Sequence, residues 1–154
     1  MYQKIVVGTD GSETAGIAVQ RATELAKLTG ATLHIVHAYQ PLTRAHIGAA
    51  ALSEAPSIDV SQVNAGIAAS AHAVCGHAAS QAQRADVPVE THALPGDPAD
   101  ALVTAAKDIS ADLVVVGSRG MSGVRRFVLG SVPNKVSHHC PCSLLIVDTA
   151  LAPE

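Results

Sequence analysis

Three short runs of uninterrupted aliphatic residues constrain this chain more than any other feature. They are Lys4–Gly8 (KIVVG), Leu113–Gly117 (LVVVG) and Ser143–Asp148 (SLLIVD). A strand with one wet face alternates apolar and polar residues, so a run without alternation needs cover on both faces. In a chain of 154 residues that cover comes from helices packed on each side of a parallel sheet. Two further β-rich runs, Thr32–Ala38 (TLHIVHA) and Pro88–Ala93 (PVETHA), complete a set of five. The second of these alternates and is more polar, which suits a sheet edge.

Between the runs the period changes from two to 3.6. Ala15, Ala18, Val19, Ala22, Leu25, Ala26 and Thr29 follow helical spacing, and Gly30 is a natural stop. An Ala-rich helix is expected over about Asp59–Arg84, with Asp59 or Ser61 as its cap. A third opens at Asp97-Pro98, Asp97 capping, Pro98 in the first helical position and Leu102, Val103, Ala106 and Ile109 forming the buried stripe. A short fourth helix is expected from about Ser131 to His138, ended by Pro141. Strands and helices therefore alternate, which predicts an open, doubly wound parallel α/β sheet of five strands and about four helices. The aperiodic stretch from about 40 to 58 reads as a long surface loop. In such sheets ligands bind beyond the carboxyl ends of the strands.

One domain is expected over 1–154, and its core must be built without rings. The aromatics are Tyr2, Tyr39 and Phe127, whereas Ala occurs 28 times. The net charge of −3 and pI of about 6.2 supply no basic field for nucleic acid. The amino-terminal segment has no long apolar core, and no run of 18 apolar residues occurs, so neither secretion nor a membrane span is expected. Three cysteines without framework spacing agree with reduced thiols in a cytoplasm.

The chemistry concentrates after the fourth run, in Gly117-Ser-Arg119-Gly120-Met-Ser-Gly123-Val-Arg125-Arg126-Phe-Val-Leu-Gly130-Ser131-Val132. Glycines at a strand's carboxyl end allow close backbone approach to a ligand. Gly130-Ser131 then opens a helix whose free N–H groups and dipole favour an anion. Arg119, Arg125, Arg126 and Lys135 are four of the ten cations, and no acid lies between Asp112 and Asp148. This local excess of positive charge beside a helix start points to a phosphate, although a glycine-rich surface loop with solvated charges has the same composition. A Walker A motif is absent, and the turn Gly8-Thr9-Asp10-Gly11-Ser12 does not carry the dinucleotide fingerprint.

The spacing Gly117-x2-Gly120-x9-Gly130-Ser131 resembles the nucleotide-binding signature of the universal stress protein family. KIVVGTDGSETA is similar to that family's first strand and turn, GDPADALVTAAKDISADLVVVGSRG to its third helix and fourth strand, and LGSVPNKVSHHCPCSLLIV to its closing helix and last strand. The resemblance implies a flavodoxin-like sheet of order 3-2-1-4-5 and membership of the ATP-binding branch. It implies that Gly117, Gly120, Gly130 and Ser131 surround the phosphates and that Asp10 contacts ribose or adenine. Gly8 and Thr9 would line that pocket, Val36 and Ala38 would bracket the base, and Arg119 and Val132 occupy contact positions. It also implies a homodimer formed through the last strand, about Ser143–Val147; a Mg²⁺ ion bridging phosphate oxygens with few protein ligands is expected from the chemistry of a bound nucleotide. With so few rings in the chain, aliphatics such as Val36 would hold the base in place of an aromatic stack.

Other features read more plainly. Asp10, or Ser12, could simply cap the first helix. His138-His139-Cys140-Pro-Cys142 has metal-binding residue types, but it ends a helix and lacks the paired spacing of zinc sites, so no metal site is expected there. Cys140 and Cys75 read as packing residues. His34 and His37 lie on opposite faces of the second strand and read as core or edge histidines. His46-Ile-Gly-Ala49 lacks the final histidine of an adenylyltransferase motif. No nucleophile triad, carboxylate pair or water-activating base accompanies the glycine loop, so at most weak ATP hydrolysis is expected. The expected function is an ATP-binding stress-response regulator. The alternatives are a slow ATPase, a cyclic-AMP-binding relative, or a dimeric scaffold without nucleotide.

Overall fold

The computed structural model of the protein describes residues 1–48, 58–119 and 128–149. Its elements in chain order are β1 (Lys4–Gly8), α1 (Glu13–Thr29), β2 (Thr32–Tyr39), α2 (Arg44–Ile47), α3 (Val60–Gln83), β3 (Val89–Pro95), α4 (Pro98–Ile109), β4 (Leu113–Gly117), α5 (Ser131–His139) and β5 (Ser143–Val147). The five strands form one sheet of order β3-β2-β1-β4-β5, and every pairing is parallel. The fold class is the one the aliphatic runs predict, and the order is the one the family resemblance implies. Among the described residues no helix is long and apolar enough to cross a membrane.

Local chemistry sets the element ends. Ser12 caps α1, its hydroxyl accepting from the Ala15 amide at 3.2 Å, and Gly30 closes the helix in the left-handed region at φ +70°. Of the two candidate caps for α3 the structure uses Asp59, which accepts from the Ser61 and Gln62 amides. Asp97 caps α4 through the Asp100 amide, with Pro98 in the first turn as expected. Ser110 ends α4 at φ +56°, a conformation that no glycine signals in the sequence. The predicted loop also contains the helical turn α2, where the Thr43 hydroxyl and His46 Nδ1 lie 2.9 Å apart. Positions 49–57 of that stretch lie outside the described residues.

Alternation along the central strands divides the core into two layers. Ile5, Val7, Leu33, Ile35, Leu113 and Val115 face α1 and α3, which meet them with Ala18, Ala22, Ala26, Ala78, Ala79 and Ala82. Val6, Val36, Val114 and Val116 face the opposite way, under Ala99, Leu102, Ala105 and Ala106 of α4 and Val136 of α5. Alanine on the helices lets their backbones lie close to β-branched strand residues, which fills the layers without rings. Cys75 is buried as expected, and burial pushes its thiol pKa up.

Val115 is fully buried at the centre of the sheet. Val115→Ala should therefore cost roughly 2–3 kcal/mol through lost apolar burial and a residual cavity. Urea unfolding checks this: the midpoint should fall while the slope stays unchanged.

Candidate functional site

The carboxyl ends of β1, β2 and β4 open onto a cavity of about 320 Å³, closed at one side by the start of α5. β1 and its turn contribute Gly8, Thr9 and Asp10, and β2 contributes Val36 and Ala38. β4 and the segment after it contribute Gly117 and Arg119, and the α5 start contributes Gly130, Ser131 and Val132. Ten of the eleven residues singled out in the sequence thus line one cavity, and Gly120 lies outside the described residues. Helix α4 adds a wall that motif reasoning did not include, formed by Pro98 and Leu102. Leu102, which the helical stripe marks as core, also packs its side chain over Gly8, where an added Cβ would come within 2.9 Å of it.

The turn after β1 is held from both sides. The Thr9 amide donates to the Val36 carbonyl at 2.9 Å, and His37 Nδ1–H donates to the Thr9 carbonyl at 2.8 Å. His37 is thus a strand histidine that fixes the turn and does not itself line the cavity. Asp10 Oδ1 accepts from both the amide and the hydroxyl of Ser12. Ser12 caps the helix while Asp10 positions Ser12, and Asp10 remains exposed at the cavity.

A second clamp joins the two ends of the glycine segment. The Ser118 amide donates to Val147 O at 2.8 Å, and the Gly130 amide donates to Ser118 O at 2.9 Å. Thr149, fully buried, ties the clamp together: its amide donates to Ser118 Oγ at 3.2 Å, and its Oγ1 accepts from the Arg119 amide at 3.3 Å. The close approach explains two glycines. A Cβ on Gly117 would lie 3.0 Å from Thr149 Cγ2, and one on Gly130 would lie 3.3 Å from Ser118 O. Thr149 went unnoticed in the sequence because an isolated Thr beyond the last aliphatic run carries no pattern.

Gly130 caps α5 with no side-chain hydrogen bond at the cap. Pro133, the third residue of the helix, has no N–H to offer. The donors at this helix start are therefore the amides of Ser131 and Val132 together with the exposed Ser131 hydroxyl, all at the cavity rim.

The structure corrects one member of the expected cationic cluster. Lys135 Nζ lies 2.9 Å from Asp100 Oδ1 and 3.2 Å from Asp97 Oδ1, so its charge links α5 to the start of α4 and is offset there. Hydrogen bonds to Asp100 and then Asp97 raise the Lys135 pKa, while the Asp100 amide and then Lys135 lower that of Asp97. Arg119 lines the cavity; Arg125 and Arg126 lie outside the described residues. In the His-Cys segment, Cys140 Sγ and Cys142 Sγ lie 4.0 Å apart and both thiols donate to Ser143 O. Burial, followed by the neighbouring Cys140, pushes the Cys142 thiol up to about 11, which keeps it protonated.

Comparison with known proteins bears on the family and the fold. The model of the universal stress protein family matches residues 1–148. The universal stress protein Rv1636 of Mycobacterium tuberculosis is 37% identical over 149 residues, covering 96% of this chain and 97% of that protein. A crystal structure of a universal stress protein in complex with cAMP is 35% identical with TM-score 0.70, covering 97% of this chain and 98% of that one. The universal stress protein of Archaeoglobus fulgidus in complex with dAMP shares the fold at 23% identity and TM-score 0.64, covering 96% and 98% of the two chains. The chain belongs to the universal stress protein family.

Asp97 both caps α4 and pairs with Lys135, and the two roles can be separated. Asp97→Ala should cost about 1–2 kcal/mol, whereas Asp97→Asn, which keeps a capping oxygen, should cost less. Because the folded pKa of Asp97 is lowered, its contribution is complete above the unfolded carboxylate pKa and is lost as pH falls through the folded value. Unfolding midpoints of wild type and Asp97→Asn should therefore converge in acid and separate near neutrality.

Proposed function

We propose that this member of the universal stress protein family is a cytoplasmic, single-domain regulator that binds an adenine nucleotide, ATP foremost, and signals it through shape or partner binding. The observation that carries the reading is the convergence on one cavity of Gly8, Asp10, Val36, Gly117, Gly130 and Ser131, beside the amide donors of Ser131 and Val132. Val36 and Ala38 offer aliphatic surface to the base, and Asp10 offers a carboxylate to the ribose or adenine edge. Ser131 and Val132 donate to phosphate oxygens, with Arg119 adding charge. A Mg²⁺ ion would neutralise phosphate charge; Asp10 is the carboxylate among the described lining residues able to approach it. No general base is assigned, so the proposed output is ligand-dependent conformation; a slow ATPase is the alternative reading.

A second ligand reading has its own support. The relative solved with cAMP is 35% identical over nearly the whole chain, so the cyclic nucleotide competes with ATP as occupant of the same cavity. Calorimetric titration with Mg-ATP, with cAMP and with both in competition separates the two. Ser131→Ala keeps the amide and removes the hydroxyl. Its affinity should fall about tenfold or more, because a hydrogen bond to a charged group contributes roughly 1.5–3 kcal/mol. Absence of adenine-nucleotide binding up to millimolar concentration with Mg²⁺ would contradict the reading, while tighter binding of cAMP would reassign the ligand and keep the site.

The proposal includes a homodimer through β5. That strand is a sheet edge, and Leu145 on it is 39% exposed. Antiparallel pairing of two such edges would cover apolar surface and unpaired backbone groups together. Sedimentation should find a dimer for the wild type and a monomer for Leu145→Lys; a monomeric wild type counts against the pairing.

A further inference from the structure

Nearer the amino-terminal end of the sheet, β2 and β3 bring two histidines and a glutamate together. Parallel register sets His34 beside Glu90 and Val36 beside His92. Strand alternation then puts His34, Glu90 and His92 on one face, the face that carries Val36 and Leu94 against α4. His34 Nδ1 lies 3.1 Å from His92 Nε2 and 3.6 Å from Glu90 Oε2, and all three candidate donor atoms lie within 4.8 Å of one another.

We propose that His34, Glu90 and His92 form a binding site for a divalent transition ion, Zn²⁺ foremost, with water completing the coordination. A tetrahedral ion with bonds of ~2.0–2.1 Å holds its donors about 3.3 Å apart. The two separations from His34 Nδ1, 3.1 and 3.6 Å, fall on either side of that value. Two imidazoles and one carboxylate are also the donor types that zinc accepts when it keeps an open position.

A histidine hydrogen bond alone explains the arrangement less completely. A single His34 Nδ1–H can donate well to His92 or to Glu90, yet the same nitrogen faces both. An ion between the three atoms satisfies all of them, with each imidazole keeping its remaining proton on its other nitrogen. His34 is only 5% exposed, so its ring is held by the surrounding core with Nδ1 toward the other two donors. Entry is open from the solvent side, because β3 is a sheet edge and the Glu90 side chain is 63% exposed. A bound ion would cross-link β2 to this edge strand and stabilise it.

The test uses the untagged, chelator-stripped full chain without nucleotide, so its outcome does not depend on the nucleotide reading. Calorimetry with Zn²⁺ should give one equivalent bound, a rise in melting temperature, and a tetrahedral ligand-field spectrum when Co²⁺ is substituted. Glu90→Gln and His92→Ala alter the edge strand and should leave the metal-free melting temperature close to wild type. Each should weaken Zn²⁺ binding at least tenfold, roughly the least that loss of a ligand's supporting partner costs. The double variant His138→Ala, His139→Ala should bind like wild type. Absence of stoichiometric binding, binding that survives both Glu90→Gln and His92→Ala, or binding lost in the α5 double variant would each overturn the proposal.

Discussion

The parallel pairing of β1 with β4 is the constraint on which the rest of the structure depends. Ile5, Val6 and Val7 align with Leu113, Val114 and Val115, and both strands are buried on both faces. This ladder requires helices above and below it, which accounts for the spacing between the aliphatic runs. It also joins the two halves of the sheet. The chain leaves β1 toward β2 on one side and leaves β4 toward β5 on the other. Diverging connections leave a gap at the carboxyl ends, and the cavity occupies that gap.

Backbone geometry shapes this gap more than side-chain chemistry does. Thr9 is held by Val36 and His37, and the glycine segment is pinned at its ends through Ser118, Gly130 and Thr149. Glycine at 117 and 130 lets the clamp close and leaves the start of α5 open to the cavity. The floor is aliphatic and one rim carries amide donors, a division that suits a molecule with an apolar ring at one end and phosphate at the other. The proposed metal site uses the same sheet face through a different device, strand register, and lies two residues before Val36 on β2.

Much of this was legible from the chain, for identifiable reasons. Unbroken aliphatic runs report burial on two faces, and Asp97-Pro98 and Gly30 report helix ends through strong local preferences. The strand order came with the family resemblance, since periodicity alone does not rank parallel strands. What stayed hidden depends on contacts distant in sequence. Lys135 looked like a phosphate cation until α5 packed beside Asp97 and Asp100. Thr149 acquires its role only when β5 ends beside Ser118. His34 and His92 meet only through the register of two strands joined by a long crossover. Asp10 and Ser12 were competing candidates for one cap, and the fold gives them linked roles.

The central claim is that the cavity between the ends of β1 and β4 and the start of α5 is the nucleotide site. Backbone amide chemical shifts of isotope-labelled protein, followed while Mg-ATP or cAMP is added, test it most directly. The account predicts that the Thr9, Asp10, Arg119, Ser131 and Val132 amides move together with nucleotide concentration, while Ala31 and Asp112 at the other end of the sheet stay still. Shifts confined to another surface, or none up to millimolar nucleotide, would contradict it.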